Sequence, residues 1–163
     1  MEITNKAMGK SLGAMLIALL LLPFSGIAAG SEARISGAEV AKLLQDEGYR
    51  AKLSKDGEGD PLIESSMGGL TVYVYFYDCE ADRCGSLQFA VGMDMDDGLK
   101  HEAINDFNRQ YRYARAYLDD EMDPFLQYDF EVLHTDHAAH IASQVDIWQD
   151  LLNEFKTSVG YGA

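Results

Sequence analysis

Residues 67–92 read MGGLTVYVYFYDCEADRCGSLQFAVG. Leu70, Val72, Val74 and Phe76 interleave with Thr71, Tyr73, Tyr75 and Tyr77, a period of two that sends the two sets to opposite faces of a strand. Leu87, Phe89 and Val91 interleave with Ser86, Gln88 and Ala90 in the same way. Setting Cys79 opposite Cys84 defines a register whose paired positions sum to 163. Phe76 then meets Leu87, Val74 meets Phe89 and Val72 meets Val91, apolar against apolar. The other face pairs Tyr77 with Ser86, Tyr75 with Gln88 and Tyr73 with Ala90. The expectation is a β-hairpin with two cysteines at its mouth and a row of tyrosines along one face.

On the N-terminal side, Ser36-Gly37-Ala38-Glu39 is a capping box opening a helix. Val40, Leu43 and Leu44 supply the buried stripe of that helix, and Gly48 stops it. Short strands follow at Arg50–Ser54 and Leu62–Ser66, separated by a turn-rich stretch and closed by Gly68-Gly69. On the C-terminal side, Met93–Gly98 is an acidic loop. Leu99–Tyr111 then forms an amphipathic helix with Ile104, Phe107, Asn108 and Tyr111 on one face. Tyr113–Leu118 and Phe125–Leu133 read as a second hairpin. An even-summed register puts the apolar residues of both strands on one face, and a sum of 244 would pair Arg115 with Asp129. Ala138, Ile141, Val145, Trp148, Leu152, Phe155 and Val159 then recur at steps of three and four, with Thr135 as N-cap. That last helix could pack across the sheet or against a symmetry mate. The class is α+β: a twisted antiparallel sheet of about five to six strands with three helices, in the order α-β(3-4)-α-β-β-α.

The first 30 residues have a different character. Lys6 and Lys10 precede the apolar run Leu12–Leu22, followed by Pro23 and several small residues, the layout of a secretory signal peptide cleaved after Ala28 or Gly30. The apolar run is shorter than the roughly 20 residues that span a bilayer, which favours cleavage over the alternative, retention as an uncleaved anchor. Residues 31–163 then form one domain, periplasmic or secreted, with no membrane partner after cleavage. The chain carries a net charge of −14, and removing the leader makes it more negative still. Such a charge argues against nucleic acid as a partner.

In an exported protein a cysteine pair at a hairpin mouth is most simply a disulfide, so Cys79 and Cys84 are expected to be joined, with a redox switch as the second reading. Asn105, Asn108, Arg109 and Arg112 fall at helical spacing with Arg115 just beyond. They form either an anion site, since guanidinium forks bind carboxylates and phosphates, or a structural set in which Arg115 pairs with Asp129 and Asn108 ties its helix to a strand. Tyr73, Tyr75 and Tyr77, extended by Tyr113 and Tyr117, form either a recognition surface or a layer beneath a helix. Asp94-Met95-Asp96-Asp97-Gly98 departs from a calcium loop, with glycine fifth and Asn105 where the bidentate glutamate belongs. His134, His137 and His140 lack metal-ligand spacing and read as solvent-exposed. No phosphate loop, nucleophile elbow or dinucleotide fingerprint occurs, so no metal, cofactor or catalytic residue is expected.

Several of these segments together resemble the YbjN family of bacterial proteins, over roughly residues 36–159. They are GDPLI at Gly59–Ile63, a GG pair followed by VYFYDC at Val74–Cys79, Cys84, LQF at Leu87–Phe89 and INDFNRQYRYARAYLD at Ile104–Asp119. The resemblance implies a fold similar to the class I chaperones of type III secretion, often dimeric, which bind protein segments without chemistry. The export leader points away from a cytoplasmic signalling role. Three functions follow as expectations. The first is an exported, possible homodimeric module that binds a protein segment through its sheet face or edge. The second is a small enzyme or sensor acting on an anionic ligand at the arginine cluster. The third is a redox-responsive structural domain.

Overall fold

The computed structural model describes residues 33–162; the expected leader at 1–30 lies outside them. The elements are β1 (Ile35–Ser36), α1 (Gly37–Asp46), β2 (Ala51–Lys55), β3 (Pro61–Met67), β4 (Leu70–Glu80), β5 (Arg83–Gly92), α2 (His101–Gln110), β6 (Ala114–Leu118), β7 (Pro124–Glu131) and α3 (His137–Val159). They build one antiparallel sheet in the order β2-β3-β4-β5-β7-β6, with β1 added beside the start of β5. The expected class and element order hold. The seventh strand is β1, two residues long and too short to leave a periodic signal.

The central hairpin has the expected register, with Tyr73 opposite Ala90, Val74 opposite Phe89 and Cys79 opposite Cys84. Its turn is the pair Ala81-Asp82, both at positive φ (50° and 63°), the conformation a two-residue hairpin loop demands. The preceding turn, Gly68-Gly69, also has both φ positive, and here glycine meets that need without strain. The second hairpin corrects one expectation. Its positions sum to 242, so Arg115 lies opposite Gln127, while Asp129 faces Gln88 of β5. The turn Asp119–Asp123 is tighter than a sum of 244 requires, because the Asp119 carboxylate accepts from the amides of Glu121 and Asp123. The shift of two leaves the faces unchanged, with Ala116, Leu126 and Tyr128 buried.

All three helices pack on one face of the sheet. Ser36 caps α1 through both halves of the capping box, and Val40 and Leu44 of α1 are fully buried. From α3, Trp148 lies against Phe89 with ring centroids 5.6 Å apart, and Phe155 meets Phe107 of α2 edge-on at 4.8 Å. Ile141, Val145, Leu152 and Val159 complete the stripe, which settles on the sheet. Ala138, in the first turn, is exposed. The N-cap is Asp136 in place of Thr135: its carboxylate accepts from the Ala139 amide, while the Thr135 hydroxyl donates to the Val132 carbonyl. His134 stands outside the helix at φ 59°.

Candidate functional site

Alternation places a second set of side chains on the sheet face opposite the helices. Across the strands, one row runs Arg115, Gln127, Ala90, Tyr73, Glu64, Lys52, and the next runs Asp129, Gln88, Tyr75, Leu62, Ser54. Tyr73 is 37% exposed, Tyr77 46% and Tyr117 39%; Tyr75 between them is half-buried. The tyrosine row is therefore an open surface. The helices cover the wholly apolar face because Val72, Val74, Phe76, Leu87 and Phe89 carry no hydroxyl and offer more purely apolar area to bury.

Hydrogen bonds hold this face in shape. Gln88, nearly fully buried, donates to Asp129 at 2.6 Å and accepts from the Tyr77 hydroxyl at 3.5 Å. Gln127 accepts from Arg115 at 2.9 Å and donates to the Tyr117 hydroxyl at 3.4 Å. Burial, with Tyr73 and Tyr117 close by, pushes the Tyr75 phenol above its ordinary pKa, and burial followed by Asp129 does the same for Tyr77. Both therefore remain protonated donors at neutral pH. A shallow groove of about 220 Å³ runs between Tyr73, Tyr75, Tyr77, Tyr117 and Phe125. Phe125 and Gln127 were not singled out from the sequence. Their odd-numbered positions beside Leu126 and Tyr128 were the available signal, weakened by the uncertain turn before them.

Tyr113 leaves the row. At φ 74° it turns to the helix side, where its ring meets buried Tyr128 at 6.3 Å and Arg112 lies over it at 4.8 Å. The arginines have separate partners: Arg109 pairs with Asp106 on an exposed helix face, Arg112 stacks on Tyr113, and Arg115 bonds Gln127. Arg112 lies beyond the end of α2, which breaks the helical spacing that would have aligned it with Arg109. Asn105 is exposed on α2. Asn108 ties α2 to β6.

The Cys79 and Cys84 sulfurs are 2.14 Å apart, at bonding distance, and Cys84 is fully buried. The bond closes the hairpin mouth beside β1, whose Ile35 lies opposite Cys84. Arg34 bonds Asp78 and Glu80 across the same end. Among the described residues no group of histidine, cysteine and carboxylate side chains is arranged to hold a metal ion, and no helix is long and apolar enough to cross a membrane.

A helix-backed antiparallel sheet with one open aromatic face defines a small α+β domain. The chain belongs to the YbjN family, described as "Putative bacterial sensory transduction regulator", whose model matches residues 36–160. No curated protein matches the chain. Among solved structures it is similar to the type III secretion chaperone SycH of Yersinia pestis, determined in complex with a stable fragment of YscM2. The TM-score is 0.46 at 10% sequence identity, with 72% of this chain and 97% of that one covered.

Proposed function

We propose that this domain is an exported, non-catalytic binding module, periplasmic or secreted, which holds a protein segment on its open sheet face and serves a regulatory or chaperone-like role. The observation that carries the reading is the face itself. Tyr73, Tyr75, Tyr77, Tyr117 and Phe125 surround a groove on the side of the sheet that the helices leave uncovered. Tyrosines suit recognition, since each offers a large flat surface with few rotatable bonds and a hydroxyl able to bond a partner. A homodimer formed through the same face is the competing occupant, and the experiment separates the two.

The test is site-specific photo-crosslinking in the native cell envelope, with the probe replacing Tyr77 and a control probe replacing Asp120. A discrete adduct from position 77 alone, identified by mass spectrometry as another protein, is the expected result. An adduct of twice the chain's own mass makes the face a dimer interface. No adduct from a folded, exported protein overturns the reading.

A further inference from the structure

The tyrosine groove does not end on the sheet. At Tyr73, Gly92 and Phe125 it opens into a second cleft of about 590 Å³ at the end of the strands. Gly92 makes the junction possible, because a Cβ there would stand 2.6 Å from the Phe125 ring. The ring lies across that space and stacks on Tyr117 at 5.3 Å. The floor of the cleft is thus aromatic. Its rim is acidic, built from Asp94 and Glu121, both exposed, and Asp123.

These carboxylates come from two loops locked to each other. The Met95 amide donates to the Asp123 carboxylate at 2.9 Å and the Leu99 amide to the Met122 carbonyl at 2.9 Å. At the opposite, disulfide end of the hairpin Asp78, Glu80 and Asp82 are matched to cations, although many other described carboxylates of this acidic chain are not. Among the described residues no lysine or arginine pairs with Asp94, Glu121 or Asp123. An acidic rim over an aromatic floor is complementary in charge and shape to a cationic side chain with an apolar stem. A second copy is disfavoured at this end, because it would bring a chain of net charge −14 against its like.

Deepening the binding reading above, on which this rests, we infer that the segment held on the sheet face carries an arginine or lysine. The cation sits over the Tyr73 and Phe125 rings against Asp94 and Glu121, and an apolar or aromatic neighbour lies in the tyrosine groove. Aromatic faces attract cations, carboxylates bind guanidinium through charge-assisted hydrogen bonds, and the apolar stem of either side chain lies along the rings. An extended segment suits the geometry, since side chains two residues apart point to the same side.

The probe is a blocked octapeptide alternating arginine with valine and tyrosine, compared by calorimetry with the same peptide carrying neutral citrulline. Titrations use the full domain near physiological salt. The expected result is a preference for arginine of about tenfold, which collapses in D94N/E121Q and survives in D146N/D150N, a variant removing the same charge from exposed positions on α3. Equal affinity for the two peptides overturns the inference, as does a preference that survives D94N/E121Q or one that the α3 variant lowers equally. If neither peptide binds, the basic-segment inference fails. The wider reading of the sheet face is judged separately, by the crosslinking from position 77.

Discussion

Asn108 and Ala116 exchange two hydrogen bonds: the side-chain amide of Asn108 donates to the Ala116 carbonyl at 3.0 Å, and the Ala116 amide donates back at 2.8 Å. Ala116 lies in the edge strand β6, and both of its backbone groups point away from β7. One side chain of α2 therefore stands where a further strand would pair. Asn108→Ala removes both bonds at a part-buried site where water can take up the freed Ala116 groups, a loss of about 0.5–1.5 kcal/mol, to be read as a lower denaturation midpoint with unchanged slope. It also bares the edge, so concentration-dependent association should rise. Asn108→Asp keeps the acceptor but not the donor and should remain destabilised.

The disulfide closes a short loop around a turn of two residues at positive φ. Chain-entropy reasoning assigns so short a closure about 2 kcal/mol. Reducing the folded protein should lower its unfolding free energy by that amount, read from the denaturation midpoint at unchanged slope, while leaving the emission of buried Trp148, the chain's one tryptophan, in place. A large red shift on reduction would show that the bond holds the whole core, contrary to its position at one end of the sheet.

Gly92→Ala tests the junction between groove and cleft. Its Cβ would meet the far end of the Phe125 ring, which stands on the open face and can swing away. The stability cost should therefore be small, about 1 kcal/mol. Capture of a partner from position 77 should nonetheless fall, because the displaced ring disturbs the groove. Unchanged capture would show that the Phe125 end of the groove takes no part.

Burial acts to raise the Glu39 carboxyl, but hydrogen bonds from Ser36 and the Arg83 guanidinium overcome it and hold the folded pKa below the ordinary value. A lowered folded pKa means that stability is present above the unfolded value, about 4.3, and is lost as pH falls through the folded one. Wild type should accordingly be more stable than Glu39→Gln at pH 7, with the gap shrinking on acidification below about 4.3. A gap constant down to pH 3 would show that the charge of Glu39 contributes nothing.

How much of this was legible in the sequence varies from element to element. The central hairpin could be read to the register, because two unbroken alternations and a cysteine pair leave one pairing that matches both faces. The second hairpin could be read only to its faces. Alternation is blind to a shift of two, and the Asp119 side chain, which tightens the turn, adds no periodic signal. Thr135 and Asp136 are both competent caps, and the choice between them depends on where the chain leaves β7. Tyr113 keeps the parity of Tyr117 and departs from the row only through its backbone conformation.

From sequence alone came the α+β class, the element order, the two-faced hairpin, the cysteine pairing and the acidic charge, all properties of local periodicity and composition. Which face the helices cover was decided only in three dimensions. Alternation says that two sets of side chains part company, while the docking of Trp148 on Phe89 selects the wholly apolar set for burial. The convergence of the Tyr73 and Phe125 rings with the carboxylates of two distant loops is likewise tertiary. Residues 73, 94, 121 and 125 share no spacing, and only the packing of the strand ends brings them to one cleft.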